Sequence, residues 1–238
     1  MNAFVSLLRD NRNYRYTWIG QVVSEIGDHF NNVAVFSLAV ATTRSGLVVS
    51  GVLLARAIPA VLAGPLAGVT LDRLDRKRTM IASDLVRAVV ALGFILTVKG
   101  NSTWLLYALS AVLMLASPFF TSGRASILPA IATKEELHTA NSLTQTTQWT
   151  TLAVGAFLGG VTAHFGYRLA FVLNSLSFVV SALCISRLFL PGRGFRPPRS
   201  SLTESDVVFA IQRRPSRLRL SITGPDHSID LYWATSVP

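Results

Sequence analysis

Six long apolar stretches dominate the chain, and shorter polar segments separate them. They cover residues 17–41, 47–71, 79–98, 104–121, 141–164 and 168–190. A helix needs roughly 20 mostly apolar residues to cross the hydrocarbon core of a bilayer. The pattern therefore predicts an all-α membrane protein with six transmembrane helices within residues 17–190.

The segments on either side of this six-helix domain are more polar. We predict that residues 1–16 form a cytoplasmic N-terminal segment. The stretch PGRGFRPPRSS opens residues 191–238, which contain no further window of spanning length. A short amphipathic helix is expected ahead of Pro215, because proline interrupts helices. We expect the remainder of 191–238 to be a basic, weakly ordered cytoplasmic tail.

Composition agrees with a membrane protein. Half of the 238 residues are hydrophobic, 14% are charged, and the mean hydropathy is +0.46. The net charge of +10 does not indicate nucleic-acid binding, because the basic residues concentrate between the apolar stretches and in the tail. The single cysteine, Cys184, cannot form an intrachain disulfide.

Lysine and arginine are distributed unevenly between the predicted spans. Alternate connections between the spans lie on opposite sides of the membrane. Only Arg44, Lys99 and Arg168 lie on one side, and thirteen basic residues lie on the other. The thirteen are Arg9, Arg12, Arg15, Arg73, Arg76, Lys77, Arg78, Arg124, Lys134, Arg187, Arg193, Arg196 and Arg199. Since cytoplasmic loops are enriched in basic residues, both termini are predicted to be cytoplasmic.

Polar residues form a stripe along predicted helix 1. Gln21, Glu25, Asp28 and Asn32 follow the helical spacing i, i+4, i+7 and i+11. A charge at mid-membrane costs about 2.5 to 3.5 kcal/mol on insertion scales, so both acids need compensation. Two interpretations stay open: structural pairing, for example with Arg56 of helix 2, or binding of a cation or substrate.

Other ionisable residues lie inside the predicted spans. Arg56 and Arg87 are the basic ones, and Asp84 lies three residues before Arg87, which predicts a structural pair. His29 is a further candidate site residue, although packing or a hydrogen bond is the simpler explanation of a lone histidine. Protons are a candidate coupling ion. No phosphate loop, nucleophile elbow or metal-spaced cluster occurs, which argues against an enzyme and against a cofactor or metal.

A second stripe lies on predicted helix 5. Thr144, Gln148, Thr151, Gly155 and Gly159 share one face of that helix. Small residues at this spacing let two helices approach closely, which is the packing interpretation. Gln148 and Thr151 are also candidates for lining a cavity.

The segment GVTLDRLDRKR, residues 68–78, resembles the loop motif of the major facilitator superfamily. It lies between predicted helices 2 and 3, where that family has it. The matching residues are Gly68, Asp72, Arg73, Arg76 and Lys77. Asp75 stands where the family usually has glycine. The run GAFLGG, with Gly155, Gly159 and Gly160, is similar to the family's antiporter motif, with Ala156 replacing its proline.

Residues 10–190 resemble the branch of this family that includes the enterobactin exporter and the macrolide-efflux-like permeases. The stretches NRNYRYTWIGQVVSEIGD, IASDLVRAVVAL and PFFTSGRASILPAIATKEELHTANSL carry this resemblance. Many proton-coupled members have a buried arginine in helix 4, whereas residues 104–121 carry no charge. Any proton coupling is therefore expected to depend on Glu25 or Asp28.

The resemblance implies one half of a twelve-helix fold, made of two three-helix inverted repeats, with substrate bound at mid-membrane. It implies export of small molecules, such as siderophores or drugs, across a plasma membrane, expected to be a bacterial inner membrane. The implied partners are the lipid bilayer and either a missing second half or another copy. The alternative is a transport-incompetent product of a deletion, frameshift or fragmentary gene model, acting only as an interaction partner or remnant.

Overall fold

The chain forms two compact units, Met1–Gly194 and Phe195–Pro238. The computed structural model describes residues 3–99, 102–162, 166–189, 218–222 and 229–233. The first unit is helical in its described residues. Its helices are α1 (Ala3–Asp10), α2 (Arg12–Thr43), α3 (Gly46–Arg73), α4 (Arg76–Lys99), α5 (Thr103–Ile131), α6 (Lys134–Thr162) and α7 (Tyr167–Ser186).

Four of the long helices, α3, α4, α5 and α7, are long and apolar enough to cross a membrane. The other two, α2 and α6, have 32 and 29 residues and carry the two predicted polar stripes. At a rise of about 1.5 Å per residue, each is longer than a bilayer core of roughly 30 Å. The number of spanning helices, six, stays a prediction.

Two helix boundaries differ most from the predicted ones. α5 continues to Ile131, whereas the prediction ended at 121, and α6 begins at Lys134 rather than at 141. Thr133 and Glu136 explain the start of α6, because each side chain accepts a hydrogen bond from the other's backbone N–H, at 3.2 and 2.9 Å. The prediction that Arg124 lies in a link between helices was therefore wrong.

The short helix α1 was not predicted. It buries Leu7 and packs against α2 and α6, while Phe4 and Val5 are exposed. Asn11 separates α1 from α2, and its side-chain oxygen accepts the backbone N–H of Tyr14 at 2.9 Å. Asparagine is a favoured N-cap because it satisfies one of the donors left free at a helix start.

The long helices pack in the neighbour order α6, α2, α7, α4, α5, α3, and α2 touches α3 and α5 only sparsely. This pattern is unchanged when α2, α3 and α4 are exchanged with α5, α6 and α7 respectively. After the exchange, the contact between α3 and α5 corresponds to the contact between α6 and α2. The contact between α2 and α7 likewise corresponds to the contact between α5 and α4. The first three long helices and the last three therefore pack in equivalent ways.

The helical unit has two apolar clusters. One includes the stacked rings of Phe94 and Phe171, whose centroids lie 5.3 Å apart. The other includes Tyr14, Met80 and Ile127. Along α4 and α7 the two clusters are separated by polar positions, and this polar layer contains the candidate site.

The second unit contains two antiparallel strands, β1 (Leu218–Ile222) and β2 (Ile229–Trp233). The register pairs Leu218 with Trp233 and Ile222 with Ile229. The alternating sequences LRLSI and IDLYW suit strands, whose side chains alternate between two faces. This hairpin departs from the all-α expectation. The short helix predicted ahead of Pro215 lies outside the described residues.

Candidate functional site

Six charged side chains meet in the polar layer of the helical unit. We call them the charged cluster: Glu25 and Asp28 of α2, Arg56 of α3, Asp84 and Arg87 of α4, and Arg124 of α5. The cluster holds three acids and three arginines, so it is neutral overall when every member is ionised. The way in which these charges pair decides which of them is available to a ligand.

Glu25 bridges α2 to α5 and α6. Its Oε1 accepts a hydrogen bond from Arg124 Nη1 at 3.1 Å, and its Oε2 accepts one from Thr151 Oγ1 at 2.9 Å. Arg124 is only 8% exposed. Arg124, and not Arg56, is thus the cation that neutralises Glu25. The predicted absence of a charge from the fourth long helix was wrong, because the hydropathy window ended before this residue.

Arg87 holds two carboxylates at once. Its Nη2 is hydrogen-bonded to Asp84 Oδ1, and its Nη1 lies 3.5 Å from Asp28 Oδ2. The guanidinium carbon also lies 4.4 and 4.7 Å from the ring centres of Phe178 and Phe120. A guanidinium between two aromatic faces gains cation–π attraction and loses freedom to turn. Asp84 and Arg87 are therefore in contact, and Asp28 joins them from α2.

Arg56 reaches from α3 to α2, where its Nη2 donates to Asn32 Oδ1. This side chain is 9% exposed, and its Nη1 has no hydrogen-bond partner among the described residues. Asp28 Oδ1 also lacks one. Direct pairing of Arg56 with Glu25 or Asp28, one of the two interpretations left open, does not occur, because no carboxylate of the described residues lies within 4.0 Å of Arg56.

The apolar side of α2 does not face lipid alone, because glycines bring neighbouring helices against it. A Cβ on Gly155 of α6 would lie 2.5 Å from His29 Cβ and 3.0 Å from the Ile26 carbonyl oxygen. A Cβ on Gly159 would lie 2.8 Å from Val33 Cβ, whereas one on Gly160 would meet nothing within 4 Å. The packing interpretation of the helix 5 stripe therefore describes Gly155 and Gly159, whereas Gly160, which belongs only to the GAFLGG motif, has open space beside it.

The remaining polar stripe residues also lie at the α2–α6 contact. Gln21 Nε2 donates to the Thr144 carbonyl at 3.2 Å, and Gln21 is buried. Gln148 is half-buried, and Thr151 is buried against Glu25. Of the predicted stripe, Glu25, Asp28 and Asn32 are thus in contact with arginines, while Gln21 is directed to α6.

A third face of α2 was missed by the sequence analysis. Here Gly27 meets α7 so closely that a Cβ would lie 2.2 Å from Ser177 Oγ and 2.7 Å from Asn174 Oδ1. Buried Asn31 lies on the same face, one turn further along. The spacing of Gly20, Gly27 and Asn31 in the sequence could have indicated this contact.

The loop-motif residues lie where α3 ends and α4 begins. Gly68, Asp72 and Arg73 are exposed. Arg76 Nη1 donates to the Ser126 carbonyl at 2.9 Å, and Lys77 Nζ donates to the Leu188 carbonyl at 2.8 Å. These two basic residues therefore connect the start of α4 to α5 and to the end of α7.

Asp75, which departs from the family pattern, caps α4. Its Oδ1 accepts the Arg78 backbone N–H at 2.9 Å, and its carbonyl accepts the Thr79 N–H. The Asp72 side chain makes no hydrogen bond or ion pair with any described residue. The helix terminus is thus fixed by the residue that replaces the glycine.

Most charges of the cluster are balanced within the cluster itself. Within the described ranges, no group of three or more His, Cys, Asp or Glu residues could hold a metal ion. Ionisable residues inside membrane proteins usually pair with one another or face a substrate or ion pathway. Five of the six charges are in ion pairs, and Arg56 is the exception.

Comparisons with known proteins agree with this architecture. The profile of the Major Facilitator Superfamily matches residues 17–230. A Bacillus subtilis protein named as a bacilysin exporter, BacE, is 32% identical over 179 residues, which are 75% of this chain and 44% of BacE. Macrolide efflux protein A of Streptococcus pyogenes is 26% identical over 187 residues, 75% of this chain and 45% of that protein. The chain thus spans less than half the length of these relatives.

Proposed function

Because this chain belongs to the Major Facilitator Superfamily, a family of transporters rather than enzymes, we propose that it serves in the export of small molecules. It is a multi-pass membrane protein. Drug-like compounds or siderophores are the proposed substrates, and alternating access across the plasma membrane is the proposed mechanism. The names of the two relatives support export as the direction.

The observation that carries this proposal is the charged cluster. Six ionisable side chains inside one helical bundle are costly, and intramembrane charges usually mark substrate or ion pathways. They converge where α2 makes only sparse contacts with α3 and α5. A ligand at this sparse interface would displace few protein contacts.

We propose that the bundle consists of six spans in two three-helix inverted repeats. The equivalent packing of α2–α4 and α5–α7 supports this arrangement. The basic residues at the end of α3, at the start of α4 and at the end of α7 support cytoplasmic termini. Arg124 no longer counts toward that asymmetry, because it lies within α5.

The charged cluster is proposed to face a second six-helix half, or a second copy of the chain. Alternating access needs two bundles that rock about a central site. Large apolar side chains are exposed along α3, α4 and α6, which suits contact with lipid and with another bundle. Protons are the proposed coupling ion, with Asp28 as their acceptor because one of its oxygens is unpartnered.

An efflux assay tests the exporter proposal. Cells that express this chain within a full-length transporter are loaded with ethidium, and the loss of fluorescence is followed after energisation. Faster efflux than in vector controls, abolished by a protonophore, is expected. Efflux equal to the vector control would contradict the proposal.

A further inference from the structure

The positively charged side chain of Arg56 forms no ion pair with an acidic residue in the described part of the chain. Its described hydrogen-bond partner is the neutral amide oxygen of Asn32, and its Nη1 has no partner. The residue is 9% exposed. A buried, unpaired guanidinium loses its hydration without receiving a counter-charge, which is unfavourable unless another group supplies one.

The nearby acids are already engaged elsewhere. Both oxygens of Glu25 accept hydrogen bonds, one from Arg124 and one from Thr151. Asp28 lies one helical turn before Asn32, the partner of Arg56, but its Oδ2 is directed to Arg87. A movement of Asp28 toward Arg56 would therefore remove it from Arg87.

The free atoms of this site are complementary to a zwitterion. Arg56 Nη1 is an unpartnered donor, and Asp28 Oδ1 is an unpartnered acceptor in the same cluster. The planar guanidinium matches the geometry of a carboxylate, with which it forms strong, charge-assisted hydrogen bonds. A carboxylate oxygen of Asp28 is in turn a suitable acceptor for a protonated amine.

We propose that Arg56 binds a carboxylate of the transported molecule, so that the site accepts cationic compounds such as ethidium but prefers those that also carry a carboxylate. This inference rests on the proposed export function and specifies its substrate class. Asn32 positions Arg56 through the hydrogen bond to Nη2, and Nη1 stays available to the ligand. Arg87, enclosed by Phe120 and Phe178, orients Asp28 and does not itself bind the substrate.

The test uses two dyes that differ in one group. Rhodamine B has a cationic ring system and a free carboxylate, and its ethyl ester keeps the ring system but lacks the negative charge. Binding of each dye to the purified full-length transporter in lipid nanodiscs is measured by fluorescence anisotropy. The variants are Arg56→Gln, which removes the charge, and Arg56→Lys, which keeps the charge but not the planar fork.

Wild type is expected to bind rhodamine B more tightly than the ester. Loss of a charge-assisted hydrogen bond corresponds to about a tenfold change in affinity, so Arg56→Gln should weaken rhodamine B binding by about tenfold. Arg56→Gln should weaken binding of the ester by less than about twofold, because the ester has no carboxylate to lose a hydrogen bond. The affinity of Arg56→Lys for rhodamine B should lie between those of wild type and Arg56→Gln. A retained melting temperature would exclude unfolding of the variants.

Equal effects of Arg56→Gln on both dyes, no effect on either, or no binding of either dye to wild type would each overturn this inference. The exporter proposal is decided separately by ethidium efflux, because ethidium has no carboxylate. If Arg56→Gln retains both ethidium efflux and the wild-type preference for rhodamine B over its ester, export is supported. The same result would show that Arg56 does not bind a carboxylate.

Discussion

Arg124 Nη1 lies 3.1 Å from Glu25 Oε1 and thereby joins α5 to α2 through an ion pair. Thr151 Oγ1 donates to the other oxygen of Glu25 at 2.9 Å, so α6 takes part in the same contact. Three helices thus meet at one carboxylate. The contact spans the region where α2 and α5 otherwise touch sparsely.

Removal of the Glu25 charge should destabilise the bundle. Glu25→Gln leaves Arg124, which is 8% exposed, without its counter-charge. Breaking a buried pair from one side typically costs about 3 to 5 kcal/mol. The measurement is the melting temperature in detergent, which should fall in Glu25→Gln and recover in part when Arg124→Gln is added.

Glu135→Gln is the matched control, because Glu135 is exposed at the start of α6. Its melting temperature should equal that of wild type. Equal melting temperatures for Glu25→Gln and Glu135→Gln would show that the Glu25–Arg124 pair contributes no stability.

The α2–α6 contact should be sensitive to a single methyl group. Gly155→Ala places a Cβ 2.5 Å from His29 Cβ, so one helix must shift. Overpacking of this kind typically costs about 1 to 3 kcal/mol. Gly160→Ala meets nothing within 4 Å and should be neutral or slightly stabilising. Thermal unfolding of the two variants checks this, and a Gly155→Ala protein as stable as Gly160→Ala would disprove the close contact.

Two aspartates near the α3–α4 junction should have separate roles. Asp75→Ala removes the side-chain cap of α4 and should cost about 1 kcal/mol of stability. Asp72→Asn should leave stability unchanged, because Asp72 is exposed, but is expected to impair export through the loop motif. Melting temperature and ethidium efflux are measured for both. Wild-type efflux in Asp72→Asn would show that the motif has no transport role here.

The orientation in the membrane is open to cysteine labelling. In a Cys184→Ser background, Leu47→Cys, beside the α2–α3 turn, should react with an impermeant maleimide added to intact cells. Lys134→Cys, at the start of α6, should react only after permeabilisation. Both positions are exposed, so accessibility within the fold does not limit the reaction. Labelling of Lys134→Cys in intact cells would reverse the predicted topology.

Local patterns predicted more of this molecule than contacts between distant residues did. The i, i+3 spacing predicted that Asp84 and Arg87 meet, and they do. Glu25 and Arg124 are 99 residues apart, and their contact depends on how α2 and α5 rotate against each other. No pattern within one helix determines that rotation.

The hydropathy pattern also predicted the end of α5 wrongly, for a physical reason. Ser122, Gly123 and Arg124 lower the local hydropathy, yet backbone hydrogen bonds continue the helix to Ile131. The Thr133–Glu136 capping box was readable in the sequence as T-x-x-E and would have placed the start of α6 correctly. With that boundary, Arg124 would have been counted as a helical charge.

The central claim is that the acids of α2 serve transport and not packing alone, and Asp28 tests it most directly. Asp28→Asn keeps the size of the side chain but removes the charge beside Arg87, whereas Ile26→Leu changes an apolar side chain of the same helix. Ethidium efflux is compared for the two variants within the full-length transporter, at matched membrane levels and melting temperatures. We predict that Asp28→Asn abolishes protonophore-sensitive efflux and that Ile26→Leu retains it. Wild-type efflux in both variants would contradict the claim and leave the acids as structural ion pairs.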